Sequence, residues 1–244
     1  IYISEITTPK NRGTLGVLYQ FSLVFGILIA YFSNYLLTGF DGSNDWRWML
    51  GIEAIPALIY LLMTLYIPDS PRWLVLFKND DLTAQKVLEV IYSNKSEADD
   101  VLKSIKKTDN TVSKENNLFI PRFKKTILLA FFISFFNQLS GINFILYYAP
   151  EILEMGGFAT KESLFNSVII GLTNIVFTFG GLLLIDRLGR KQLLVIGSIG
   201  YIIGLCGVSG AFYYEWNPQL IAFFIFAFIA AHGIGQGTVI WVFI

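Results

Sequence analysis

Along this chain the hydrophobic positions neither alternate nor keep to one helical face; they run together in long blocks. Residues 13–40, 54–68, 126–150, 163–185, 192–214 and 216–244 contain no Asp, Glu, Lys or Arg. A helix needs about 20 apolar residues to cross a bilayer, so the blocks predict six spanning helices. The second block is short by itself and reaches spanning length when Trp48–Glu53 is added, which places the Glu53 carboxylate near its outer end. Strands of a membrane barrel would alternate apolar and polar residues in segments of about ten, whereas Thr126–Phe136 is apolar at nearly every position. The expected fold class is therefore all-α, a polytopic membrane helical bundle of six transmembrane helices.

Residues 68–122 form the one long polar segment. Within it Leu82, Val87, Leu88, Val90 and Ile91, then Val101, Leu102 and Ile105, approximate helical spacing and predict two or three short amphipathic helices. Lys106–Asn117 has the low apolar content of a flexible linker.

Composition agrees with lipid as the solvent. The 244 residues are 54% hydrophobic, 16% aromatic and only 15% charged, with a mean hydropathy of +0.58, too apolar for a soluble domain of this size. Net charge is zero, but the signs are segregated. Cytoplasmic loops carry excess Lys and Arg, and all of the 18 basic residues except Arg47 and Lys161 fall on one side of a six-span topology. Both ends of the chain are thus expected to face the cytoplasm, in a plasma (inner) membrane. The lone Cys206 excludes an intrachain disulfide or a thiolate cluster and is expected to be a small packing residue. The opening Ile1–Glu5 has neither an initiator Met nor a basic leader, which gives the expectation of a truncated chain.

Three motifs go further. Pro68-Asp69-Ser70-Pro71-Arg72-Trp73-Leu74 closes the second span; Asn137-Gln138-Leu139-Ser140-Gly141-Ile142-Asn143 with Tyr147-Tyr148 lies in the third; Asp186-Arg187-Leu188-Gly189-Arg190-Lys191 follows the fourth. In this order and spacing they resemble the sugar porter family of the major facilitator superfamily. Ile3-Ser4-Glu5 with Arg12-Gly13, and Gly235-Gln236-Gly237 with Trp241, extend the resemblance over the whole chain. It implies a partial major facilitator fold, similar to helices five to ten of twelve. Residues 1–67 would supply two helices of the N-terminal bundle, 68–122 a segment of short cytoplasmic helices, and 123–244 four helices of the C-terminal bundle. Transporters of this class bind substrate near the midplane and rock one bundle against the other.

Polar side chains inside a membrane are functional candidates by default. Amides suit a sugar because they offer donors and an acceptor without a charge to desolvate. By the resemblance, Gln20, Asn137, Gln138, Asn143, Tyr147, Asn174 and Trp241 stand where the family contacts its sugar, and Gly237 where a small residue admits the substrate to the backbone. The alternative role for the amides is to bind neighbouring helices together, worth about 0.6–2 kcal/mol. Gly141, one of five polar or small residues within 137–143, permits a local break in the third span. Glu5, Arg12, Asp69, Arg72, Asp186, Arg187 and Arg190 match a cytoplasmic charge network that in the family latches the bundles. Exposed pairs are otherwise worth about 0–1 kcal/mol.

Departures from the family pattern leave the substrate open. Thr238 and Ile240 replace prolines, Asn137 replaces the first of two glutamines, and His232-Gly233 stands where many members carry an aromatic followed by a carboxylate. His232, the only histidine, is expected to pack between helices, with proton coupling as its alternative. The implied function is transport of a monosaccharide, a hexose or pentose, with protons as a candidate coupling ion; the alternative is a non-transporting sugar receptor on the same fold. Expected partners are the sugar and the lipid bilayer, and not nucleic acid. No cofactor or metal is expected, since no span clusters His with acidic residues, and no enzyme activity, since no nucleophile has a nearby base.

Overall fold

A computed structural model describes residues 2–8, 12–92, 94–112 and 123–243, without the side chains of residues 3–4, 12–17, 108–112, 186 and 241–243. Among the described residues all regular structure is helical. In chain order the helices are α1 (Tyr2–Glu5), α2 (Arg12–Leu37), α3 (Asp45–Gly51), α4 (Ala54–Thr64), α5 (Pro71–Trp73), α6 (Asp81–Tyr92) and α7 (Lys95–Val112). They continue with α8 (Lys124–Leu139), α9 (Ile142–Tyr147), α10 (Ala149–Met155), α11 (Thr160–Leu188), α12 (Arg190–Tyr213), α13 (Pro218–Ile234) and α14 (Gln236–Phe243). Among the described residues six segments are long and apolar enough to span a bilayer: Leu18–Leu37, Gly42–Thr64, Lys124–Tyr147, Thr160–Ile185, Arg190–Tyr213 and Pro218–Ile240. These are the six spans the charge-free blocks predict.

Three of the six are interrupted. The second breaks at Ile52–Glu53 between α3 and α4, because Pro56 has no N–H to donate to the Ile52 carbonyl; Glu53 lies exposed at the break. Asp45 anchors the N-terminal end of this span by accepting the Gly39 N–H at 2.5 Å and the Asp41 N–H at 2.7 Å. The third breaks at Ser140–Gly141, where Gly141 takes φ +81°, a left-handed conformation that glycine adopts without a Cβ penalty. The sixth breaks at Gly235, between α13 and α14.

The chain forms two compact units. One comprises residues 1–16 and 55–127. In it Ser70 caps α5, accepting the Trp73 N–H at 3.4 Å ahead of Pro71 at the first helical position. The Ser70 hydroxyl also donates to Glu5 Oε2 at 2.5 Å, and the Tyr2 hydroxyl to the Pro68 carbonyl at 2.6 Å. A π-turn over Leu74–Lys78 ends at Asn79, which is left-handed at φ 55°. Asp80 then accepts the Thr83 N–H at 3.0 Å and starts α6. Helices α6 and α7 close on a small core of Leu74, Val75 and Ala84 with Val87, Leu102 and Ile105, joined at the rim by Lys106–Asp81 at 2.5 Å and Gln85–Asp99 at 2.8 Å. Two expectations are corrected here. Leu82 and Val90 are exposed, 76% and 82%, because the buried stripe of α6 runs through Ala84 and Leu88 instead. The linker expected over Lys106–Asn117 is helical as far as Val112, held by the Lys106–Asp81 pair; residues 113–117 lie outside the described residues.

The other unit comprises residues 17–54 and 128–244. Its core joins α13 to α9–α12 through Ile145, Leu153, Ile170, Tyr201, Ile225, Phe228 and Ile229. Small residues let the backbones approach, as they do between helices in lipid. A Cβ on Gly181 would lie 2.9 Å from the Gly233 carbonyl, and one on Gly233 would lie 2.8 Å from the Thr178 nitrogen, so α11 and α13 touch backbone to backbone. Large apolar side chains such as Phe131, Leu172, Ile202 and Phe223 point outward, the arrangement of a protein whose solvent is lipid. Cys206, expected to pack, is also exposed. The packed face of α12 is taken by Gly197, Gly204 and Tyr201 instead.

Candidate substrate cavity

The third span supplies two walls from one sequence. The break at Ser140–Gly141 redirects the chain so that Asn137 and Gln138, at the end of α8, and Asn143, in α9, face one space. Asn143 Nδ2 donates to Gln138 Oε1 at 2.7 Å across the break, and the Ser140 hydroxyl donates to the Asn137 carbonyl at 2.6 Å. The latter satisfies a carbonyl at the end of α8 that continued helix would have used.

Around these residues lies a cavity of about 480 Å³, within the range of about 300–1,000 Å³ common for small-molecule sites. Gln20, Val24 and Ile27 of α2 line it from one helix, Asn174 of α11 from another, and His232, Gln236, Gly237 and Ile240 from the broken sixth span. Gln20, Asn174 and Gln236 are buried, at 5%, 1% and 8% exposure, and form its floor. Gln138, Asn143 and Tyr147 are exposed and form its open rim. Seven residues expected at a sugar site, Gln20, Asn137, Gln138, Asn143, Tyr147, Asn174 and Gly237, thus line one cavity. The side chain of the eighth, Trp241, lies outside the described residues. Tyr148 packs at a tilt against Phe144, ring centres 5.3 Å apart, and stays off the lining.

The amides differ in how far the protein satisfies them. Asn174 Oδ1 accepts from the Thr178 hydroxyl at 3.4 Å, and Gln236 Nε2 donates to the Ser198 hydroxyl at 3.0 Å. Gln20 Oε1, Asn137 Oδ1 and Gln236 Oε1 are buried without a partner. A buried unsatisfied acceptor costs about 1–3 kcal/mol, a cost that an amide would recover by turning its oxygen into the cavity toward a ligand rich in hydroxyl donors; Gln236 Oε1 now lies against Gly197 of α12. Among the described residues the lining holds no Asp, Glu, Lys or Arg, so its chemistry is that of neutral hydrogen bonding beside apolar and aromatic surface.

Two features escape the sequence. Gln236 sits in the Gly-rich stretch as the one amide of its apolar block beyond Pro218–Gln219, and that isolation was the available signal. At Gly237 a Cβ would lie 2.9 Å from His232 Nε2, so the missing side chain makes room for the imidazole as well as bordering the cavity. His232 packs, as expected: its ring is parallel to Tyr201 at 6.1 Å, and Nδ1 lies 2.5 Å from the Tyr201 hydroxyl.

The expected charge network divides between the units. In the first, Glu5 is bonded to Ser70, Asp69 pairs with Lys78 at 3.2 Å, and Arg72 is exposed. Burial, with the Asp69 carboxylate nearby, pushes the Tyr2 phenol above its usual value. In the second, Arg187 and Arg190 are exposed on either side of Gly189, which turns α11 into α12 at φ +79°. The side chains of Arg12 and Asp186 lie outside the described residues.

Six apolar spans, four of which line an amide-rich cavity, define an integral, multi-pass helical membrane protein. A family model described as sugar (and other) transporter matches residues 1–244, and the chain belongs to that family. It is 35% identical over 254 residues to the galactose-proton symporter of Escherichia coli K12, covering 99% of this chain and 53% of that one. To the arabinose-proton symporter of Bacillus subtilis it is 34% identical over 255 residues, covering 100% and 54%. The structure matches the xylose transporter XylE from E. coli in a partially occluded inward-open conformation, with a TM-score of 0.85 and 31% identity over 99% of this chain and 53% of that one. The fold is accordingly part of a major facilitator fold, and the chain spans about half the length of the relatives it matches.

Proposed function

We propose that this chain forms part of a transporter that moves a monosaccharide, a hexose or pentose, across a plasma (inner) membrane by alternating access. The observation that carries the reading is the convergence of Gln20, Asn137, Gln138, Asn143, Asn174 and Gln236 on one uncharged cavity, with three of their oxygens lacking partners. Sugar hydroxyls both donate and accept, and neutral amides meet them without the desolvation cost of a charge. Trp241 would add an aromatic face.

In this reading residues 1–67 belong to one bundle and 123–244 to the other, with both ends of the chain and the 68–122 helices on the cytoplasmic side. Glu5, Arg12, Asp69, Arg72, Asp186, Arg187 and Arg190 form a latch whose pairs meet in one state and part in the other. Protons are the coupling ion, a choice supported by relatives named as sugar-proton symporters. The relatives named above are all transporters, which favours flux over sensing.

Counterflow of radiolabelled glucose, xylose and galactose into vesicles holding the full natural chain tests the proposal. Saturable exchange of at least one sugar is expected. Folded, inserted protein that exchanges none of them refutes these substrates, and uptake indifferent to a proton gradient refutes the coupling.

A further inference from the structure

Helix α9 is six residues long and bounded on both sides by non-helical backbone, Gly141 at φ +81° and Tyr148 at φ −108°, ψ 20°. It nevertheless carries Asn143 and Tyr147 into the cavity. In an α-helix the Leu146 carbonyl would accept from residue 150, but residue 150 is proline and has no N–H. Inside a membrane such a carbonyl must find another donor. It finds the Tyr31 hydroxyl.

Tyr31 is itself fixed. It is 9% exposed, and its ring and the Leu28 backbone press on Gly171 of α11, where a Cβ would lie 3.1 Å from each. Gln20, Val24, Ile27 and Tyr31 follow at spacings of four, three and four residues, one stripe along a helix. The first three of these line the cavity. The face of α2 that presents Gln20 is therefore the face that holds α9.

We propose that Tyr31 is a positioning residue for the cavity: its hydroxyl supplies the donor that Pro150 withholds from Leu146, and so sets the separation between Gln20 on α2 and Asn143 and Tyr147 on α9. Tyr31 touches no substrate in this role. The inference rests on the transport reading only for its kinetic test.

The variant is Tyr31→Phe, which removes one oxygen and keeps the ring against Gly171, made in the full natural chain in lipid nanodiscs and in vesicles. Hydrogen exchange of amides in 142–150 should quicken at least about threefold, the lower range for one lost hydrogen bond, with 190–213 unchanged. Unchanged exchange in 142–150 overturns the inference. In counterflow, apparent KM for the transported sugar should rise about 3–10-fold with maximal rate held within about twofold; an unaltered KM, or a fall in rate alone, overturns it. In a Pro150→Ala background, where residue 150 regains its N–H, the KM cost of Tyr31→Phe should shrink, and an equal cost in both backgrounds overturns it. A wild-type chain without sugar exchange refutes the transport reading, and hydrogen exchange then decides the inference alone.

Discussion

Gly180 and Gly181 are neighbours on α11, and their replacement by alanine should have opposite effects. At Gly180 an added Cβ meets nothing within 4 Å, so Gly180→Ala gains only helix propensity, about 0.5–1 kcal/mol. At Gly181 the same atom lands 2.6 Å from the Thr238 hydroxyl and 2.9 Å from the carbonyls of Gly233 and Ile234. Relief requires either that α11 and α13 separate by about half an ångström or that Thr238 move. Thr238 is pinned, since its hydroxyl is 2.6 Å from the Gly233 carbonyl and 3.2 Å from that of Thr178. Overpacking of this kind costs about 1–3 kcal/mol, and a displaced hydrogen bond about 1 kcal/mol more. The net loss for Gly181→Ala, after the propensity gain, is about 1–3 kcal/mol. At about 2–4 °C per kcal/mol for a chain of this size, the two variants should melt several degrees apart in the same detergent, with Gly181→Ala below wild type and Gly180→Ala at or above it. Coincident melting curves would refute the backbone-to-backbone crossing.

Other outcomes follow from the same contacts. Thr238→Val, which keeps shape and deletes the hydroxyl whose one proton is shared between the Gly233 and Thr178 carbonyls, should lower stability by about 1–2 kcal/mol in a thermal melt. Ser70→Ala removes both the α5 cap and the donor to Glu5, and should quicken hydrogen exchange over 71–78, with a cost of about 1 kcal/mol. Asp80 is held below the usual carboxylate value first by the Thr83 hydroxyl, then by the Thr83 N–H. Its contribution to α6 is present above the usual value and disappears as pH falls through the lowered one. Carboxyl NMR should therefore show Asp80 titrating below an exposed aspartate, and Thr83→Val should move it back up. Cys206→Ala, at an exposed position on an apolar span, should leave the thermal melt within about 0.5 kcal/mol of wild type.

Most of the fold is legible in the sequence because an ionised side chain at mid-membrane is so costly that its absence marks each span. Gly141 announces its own break, since four polar neighbours, Asn137, Gln138, Ser140 and Asn143, surround it within an apolar run. The break at Gly235 is less visible, because several glycines stand together there and only the register of α13 against α11 and α12 selects one. Leu82 and Val90 mislead because the 3.6-residue pattern admits two adjacent faces on a helix as short as α6, and the packing of α7 chooses between them. Cys206 misleads for a reason peculiar to lipid: a small thiol is as well placed facing acyl chains as facing a helix. The amides of the third span are legible because the motif keeps them together. Gln236 is not, since nothing in the sequence shows that the sixth span turns it toward Ser198 and Asn137's side of the cavity. Tyr31 reads as one more aromatic until Pro150 is seen to leave a carbonyl without a donor.

The central claim is that the amide-lined cavity binds a neutral sugar. Equilibrium binding of labelled xylose, glucose and galactose to the purified full natural chain tests it directly, with Asn143→Ala and Gln138→Ala beside the wild type. The account predicts saturable binding of at least one sugar, weakened about 2–10-fold in each variant, the worth of one neutral hydrogen bond. Folded protein that binds none of the three, or binding that both variants leave unchanged, would contradict it.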